Sequence, residues 1–349
     1  MRVTDAALSA MVIVGLAGCG VATAPAAPAA AQPAAVDARA QEAWPASVEA
    51  SAAPAHTSWA PVEASRSAAA AATTSSAAPV AAASANPAPV AEPQVKPTPP
   101  NIRLGPLQYV RQTLNNCGPA SIVEVLGFWG VQRSQGQAQA VLRPDANSRG
   151  MMPYPVPAYV HSVGMNALMG VGGYPTLVKA LVANGFPTIV AQLVSLSEPT
   201  AHYREIEGYD DQRQVFISTD SYLGPNHAIS YGEFDQLWAR GNQRFIVIYP
   251  ADKEPLLNAV LKSAGWDKKA AYQKDLDRQL RGENVMAQQP PGYYPPLNMP
   301  GTRELNMAWD YIQLGQLDQA KAEIAKAPHT PRNQQLIDWL NQDLTLAAA

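Results

Sequence analysis

The chain has 349 residues, a formal net charge of −3 and 15% charged residues, against about 25% in an average domain. That balance leaves no basic footprint for nucleic acid. With 32 prolines and only 5 phenylalanines, the composition argues against one large globule and for a long unfolded part.

The first predicted element is an export signal. Its apolar stretch Met11-Val12-Ile13-Val14-Gly15-Leu16 is too short to cross a membrane, which takes about 20 apolar residues. Leu16-Ala17-Gly18-Cys19 resembles a bacterial lipobox, in which the cysteine is lipidated and becomes the mature N-terminus. On that reading residues 1–19 are a lipoprotein signal, Cys19 carries the lipid, and the protein is held at the cell membrane or outer membrane. The alternative is an ordinary secretory signal with a chance cysteine. From Val21 to Pro100 there is no Leu, Ile, Phe, Met or Tyr. Residues 20–100 therefore cannot bury enough apolar surface to fold and are expected to form a proline-stiffened, disordered tether. His56 lies in this tether and is set aside as a catalytic candidate.

Ordered sequence is expected from Asn101. Gly118-Pro119-Ala120-Ser121, followed by Ile122, Val123, Val125, Leu126 and Trp129, has helical spacing with proline in the first turn. Tyr174 to Leu181 reads as a second helix closed by Asn184-Gly185. The period then changes, and Thr188–Val194, His202–Gly208, Val215–Thr219 and Phe245–Tyr249 read as strands. Helices followed by strands on short turns predict an α+β domain with an antiparallel sheet over residues 101–250.

With Cys19 assigned to lipid, Cys117 has no intramolecular partner. At a helix start, free N–H groups and the helix dipole stabilise a thiolate and lower its pKa. Gly118 is expected to keep the backbone open to a substrate carbonyl. A lone cysteine is otherwise a buried small hydrophobe, but the polar string Gln112-Thr113-Leu114-Asn115-Asn116 precedes this one. A cysteine nucleophile needs a base. His202 opens a strand that turns near Asp211 and returns to Asp220. A hairpin centred at Asp211 sets His202 directly opposite Asp220, within reach of an imidazole–carboxylate bond. A slip of one residue would put them on opposite faces. His161 reads as a packed or surface histidine and His227 as a loop residue. No spacing suits a metal. Gly170-Val171-Gly172-Gly173 lacks the Lys and Ser/Thr of a phosphate loop, so no cofactor is expected.

Gln112-x4-Cys117-Gly118-Pro119-Ala120-Ser121, His202-Tyr203-x4-Gly208-Tyr209-Asp210 and then Asp220 together resemble the C39-like peptidases of the papain-like cysteine peptidase group. The segment Ile229-Ser230-Tyr231-Gly232-Glu233-Phe234-x3-Trp238 is similar to the stretch after the acid in that family. The resemblance covers about residues 104–250 and implies a papain-like helix-plus-sheet fold that hydrolyses peptide bonds. It also implies Cys117 as nucleophile, His202 as base, Asp220 as its orienter and Gln112 as an oxyanion donor. Two features depart from the family: Ser221 follows the acid where proline is frequent, and Gln112 stands one residue closer to the cysteine than in exporter-linked members, which keeps Gln108 as a second candidate.

Residues 251–349 read as helical. After a break at Gln288–Pro296, Ala308-x2-Tyr311-x3-Gly315-x-Leu317-x2-Ala320-x3-Ile324-x2-Ala327 resembles a tetratricopeptide repeat, which implies a protein or peptide partner. An ordinary helical hairpin is the alternative. One such unit must pack on the 251–285 helices, on Gln334–Leu344 or on the preceding domain. Three functions remain open on the sequence: an envelope-tethered cysteine peptidase, a non-catalytic peptide-binding lipoprotein, and an acyltransferase of transglutaminase type.

Overall fold

The computed structural model describes residues 93–105, 107–145, 148, 150–198, 200–283 and 300–348. The export signal, Cys19, the tether through residue 92 and the break at 288–296 lie outside these residues.

Seven strands form one antiparallel sheet: β1 (Asn101–Arg103), β2 (Asn166–Gly170), β3 (Thr188–Leu193), β4 (Ala201–Asp210), β5 (Val215–Asp220), β6 (Gly224–Ser230) and β7 (Phe245–Tyr249). Their order is β2-β7-β3-β4-β5-β6, with β1 paired to the end of β4. β7 reads Phe-Ile-Val-Ile-Tyr and is buried at every position, as an unbroken apolar run requires when both faces of a strand are covered. β6 is an edge strand. It was expected to be a loop because its largely exposed residues carry no apolar alternation, and Pro225 is tolerated where one side of the ladder is open.

Ten helices are described: α1 (Cys117–Phe128), α2 (Gln135–Leu142), α3 (Val156–Ser162), α4 (Pro175–Ala183), α5 (Tyr231–Ala239), α6 (Glu254–Ala264), α7 (Lys268–Leu280), α8 (Thr302–Gln313), α9 (Leu317–Lys326) and α10 (Pro331–Ala348). α1 is buried from Cys117 to Leu126, because a helix apolar on all sides belongs in the interior. α4 begins at Pro175 and ends on Asn184 and Gly185 (φ 90), the predicted start and stop.

The helices make two cores with the sheet. Leu126, Val160 and Ile189 of the first pack together with Trp309, Leu336 and Leu340 from α8 and α10. The second joins Leu177 and Leu181 of α4 to Phe234, Trp238 and Phe245. The C-terminal helices therefore share the core of α1 to α3. α8 packs on α7, α9 and α10, and Trp309 lies with its ring 5.2 Å from that of Tyr154. Among the described residues no helix is long and apolar enough to cross a membrane.

Candidate active site

Cys117 is the first residue of α1. Asn116 before it is a natural capping residue, but its side chain is engaged elsewhere. Its Nδ2 donates to Thr113 Oγ1 at 2.6 Å and Gln139 Oε1 at 2.5 Å, and its Oδ1 accepts from Arg143 Nε at 2.9 Å. The first N–H groups of α1 thus have no side-chain cap. Gly118 has a different reason from the one expected. A Cβ there would lie 2.7 Å from Met151, so the missing side chain admits Met151 rather than a substrate.

α1 is fastened to β4 by Ser121, whose Oγ donates to the Tyr203 carbonyl at 3.3 Å. Behind it Glu124 and Glu205 meet, both fully buried. Burial, then the charge of Glu205, pushes Glu124 up to about 11, and burial pushes Glu205 up to about 7. Glu124 is a neutral acid at neutral pH, and its Oε1 accepts from Val110 N at 2.6 Å.

The β4–β5 hairpin corrects the expected register. Asp210 pairs with Val215 and Gly208 with Ile217, but beyond a bulge Ile206 pairs with Ser218 and Glu205 with Thr219. The turn occupies residues 211–214 and is not centred on Asp211. Continued by one residue, this register sets Arg204, not His202, opposite Asp220. His202 stands two residues further along β4 and so on the same face. The extra residue, Glu207, decides this: without the bulge, Asp220 would oppose Glu205, and His202 would point to the other side. Glu207 is buried and held by Arg103 Nε at 3.0 Å, Leu107 N at 3.2 Å and Thr219 Oγ1 at 3.1 Å.

His202 Nε2 lies 3.1 Å from both carboxylate oxygens of Asp220. Asp220 also accepts from Arg204 Nε at 2.5 Å and from the N–H groups of Tyr222 and Leu223, each at 2.8 Å. Burial disfavours its charge, yet the bond to His202, the charge of His202 and that of Arg204 prevail and hold it far below the usual carboxylate range. Burial likewise opposes charge on His202. The hydrogen bond to Asp220, the nearness of Cys117 and the charges of both outweigh it and raise His202 from 6.5 to about 9. Because Nε2 is committed to Asp220, Nδ1 is the ring nitrogen left for the Cys117 sulfur. His202 is thus bonded to Asp220, and Cys117 and His202 line the same cavity.

Gln112 is placed beside the same turn. Its N–H donates to the Ser221 carbonyl at 3.0 Å, and Ser221 Oγ donates to its Oε1 at 3.0 Å. Ser221 thus ties the Gln112 loop to the residues after the acid, and the Gln112 Nε2 is the donor left over. Gln108 is exposed, as is His161 in α3. His227 is not in a loop but on β6, opposite Ser218. Among the described residues no three His, Cys, Asp or Glu side chains are grouped to hold a metal ion.

Sequence reasoning passed over Arg143, Arg204 and Gln192. Arg204 lies two positions from His202, so strand periodicity had already put it on the histidine's face. Gln192 pairs with His202 across β3–β4, and its signal was a lone amide in an otherwise apolar run. A cavity of about 100 Å³ opens beside Cys117 and His202, lined among others by Met151, Gln192, Tyr272 and Trp309.

Residues 106–244 match the model of the Peptidase_C39 like family. This stretch is thus similar to C39-like peptidase domains, and helices follow it in the chain. Solved structures similar to it include two from transporters. One is a double glycine motif protease from an AMS/PCAT transporter in complex with the leader peptide, 19% identical over 43% of this chain and 94% of that one, with a TM-score of 0.34. The other is the peptidase domain of Streptococcus ComA, a bifunctional ABC transporter involved in quorum sensing, 18% identical over 41% and 96%, with a TM-score of 0.34. No curated protein matches the chain.

Proposed function

We propose that the protein is a cysteine peptidase of the bacterial cell envelope, with Cys117 as nucleophile, His202 as proton carrier and Asp220 as its orienter. The observation that carries this reading is the clamp of Asp220 on His202 Nε2, which leaves Nδ1 for Cys117. Cys19 and the tether would hold the domain at a distance from the membrane surface.

With His202 protonated up to about 9, the ring holds on Nδ1 the proton given up by the Cys117 sulfur before substrate arrives. The sulfur attacks the peptide carbonyl carbon, forming a C–S bond as the carbonyl electrons move to oxygen. The Cys117 N–H and the Gln112 Nε2 receive that oxyanion. Collapse breaks the C–N bond, and the Nδ1 proton passes to the departing amine. Neutral His202 then takes a proton from water, which attacks the thioester; the sulfur leaves and the acid product is released. Asp220 accepts from the Nε2–H throughout and so fixes which nitrogen reacts.

The test is a complex peptide mixture incubated with the protein, with new N-termini read by mass spectrometry. The wild type should generate them and Cys117→Ala should not. Equal cleavage by the two overturns the proposal. Addition of a primary amine separates hydrolysis, expected to give acid products, from transfer, which gives amides.

A further inference from the structure

The cavity beside Cys117 is not built by the C39-like segment alone. Met151 and Met169 wall it from residues 106–244, while Tyr272 of α7 and Trp309 of α8 close it from beyond that segment. The wall is fixed. Trp309 is 2% exposed and rests on Tyr154. Tyr154 OH donates to Asn306 Oδ1 at 2.6 Å, and Tyr272 OH donates to the Met169 carbonyl at 3.0 Å.

At the same cavity stands Gln192, 1% exposed, with neither its amide oxygen nor its amide nitrogen bonded to anything. A buried carboxamide without partners is a cost that folding alone does not explain. It offers an acceptor and donors in one plane, the complement of a peptide unit's N–H and C=O. Arg244, the arginine of the cavity lining, faces Asp275 at 3.8 Å, so the pocket does not call for an acidic side chain. An apolar cavity of roughly 150 Å³ admits benzene. At about 100 Å³ this one takes a single aliphatic side chain.

We infer that α8 completes a pocket selecting an aliphatic side chain next to the scissile bond, and that Gln192, buried in its wall, binds the substrate main chain. The inference rests on the peptidase reading above and makes the C-terminal helices part of substrate recognition. Gln192 is a positioning residue for substrate, not a member of the reacting line.

Peptide aldehydes of the form acetyl-Ala-Ala-X-al, with X as Gly, Ala, Leu or Phe, test it on the full chain. The Cys117 sulfur adds to the aldehyde carbon and the aldehyde oxygen takes the proton, so no leaving group is needed. Adduct formation is read as protection of Cys117 from iodoacetamide by mass spectrometry. The leucine aldehyde should protect at concentrations at least about tenfold lower than the glycine one. Trp309→Leu should shift the preference toward Phe. Gln192→Leu, similar in size, should weaken the Gly and Leu aldehydes alike by about tenfold or more; far-ultraviolet circular dichroism and a cooperative thermal transition check the fold of both variants. Equal protection by Gly and Leu in the wild type overturns the inference, as do unchanged affinity and preference in folded variants. Protection without side-chain preference removes the pocket and leaves the peptidase reading standing. If no aldehyde protects while iodoacetamide still alkylates, both fall.

Discussion

His202 and Arg204 both end on Asp220, and this single carboxylate sets the charge of the site. The sign of the resulting pH dependence comes from His202, whose folded-state pKa of about 9 lies above the 6.5 of an unfolded chain. The stability it contributes is fully present below about pH 6.5 and is lost as pH rises through about 9. The shift corresponds to about 3 kcal/mol. Urea unfolding of the wild type and His202→Gln at pH 6 and pH 9.5 should show the gap between them shrinking by about that amount; a constant gap contradicts the assignment. The identities of Cys117, His202 and Asp220 were legible because each carries chemistry that few other positions offer. Gln192 and Arg204 were only half legible: periodicity put Arg204 on the histidine's face and Gln192 stood out in an apolar run, but what each meets is not known until the strands are paired.

At the scale of the element, the β4–β5 hairpin explains both what the sequence could tell and what it hid. The presence of both strands and the turn near Asp211 were readable from residue type, though β4 runs Ala201–Asp210 and not only His202–Gly208, and His202 and Asp220 were expected on one face. The register was not readable, because the bulge at Glu207 is made by contacts distant in sequence, from Arg103, Leu107 and Thr219. A centred turn and a displaced turn with a bulge return the same pair to the same face by different routes. Gly208 next to the bulge lies against β1, where a Cβ would be 2.8 Å from the Ile102 carbonyl. Gly208→Ala should therefore push β1 off β4 and destabilise by about 1–3 kcal/mol. Cleavage should fall with it, because the bulge sets the aim of His202. Wild-type stability and cleavage in this variant would show that the bulge does not set the register.

Across the whole molecule, the C-terminal helices lie in the core that also supports α1. Ala308, Gly315 and Ala320 belong to the repeat-like pattern of the sequence. They gave no sign that α8 would turn Trp309 toward Tyr154 and the cavity, since a partner surface cannot be read from one side of a contact. Trp309→Ala should cost about 3–5 kcal/mol, read by chemical denaturation, with loss of the near-ultraviolet dichroism of Tyr154 and its neighbours. A change below about 1 kcal/mol would mean that α8 stands apart from the core that supports α1.

The most direct test of the central claim is the rate at which iodoacetamide alkylates Cys117, measured near pH 6 in the wild type and in His202→Ala. If the imidazolium and the sulfur form one unit under the hold of Asp220, the wild type reacts readily and the variant at least about tenfold more slowly. Equal rates would show that the histidine does not act on the thiol, and would contradict the account.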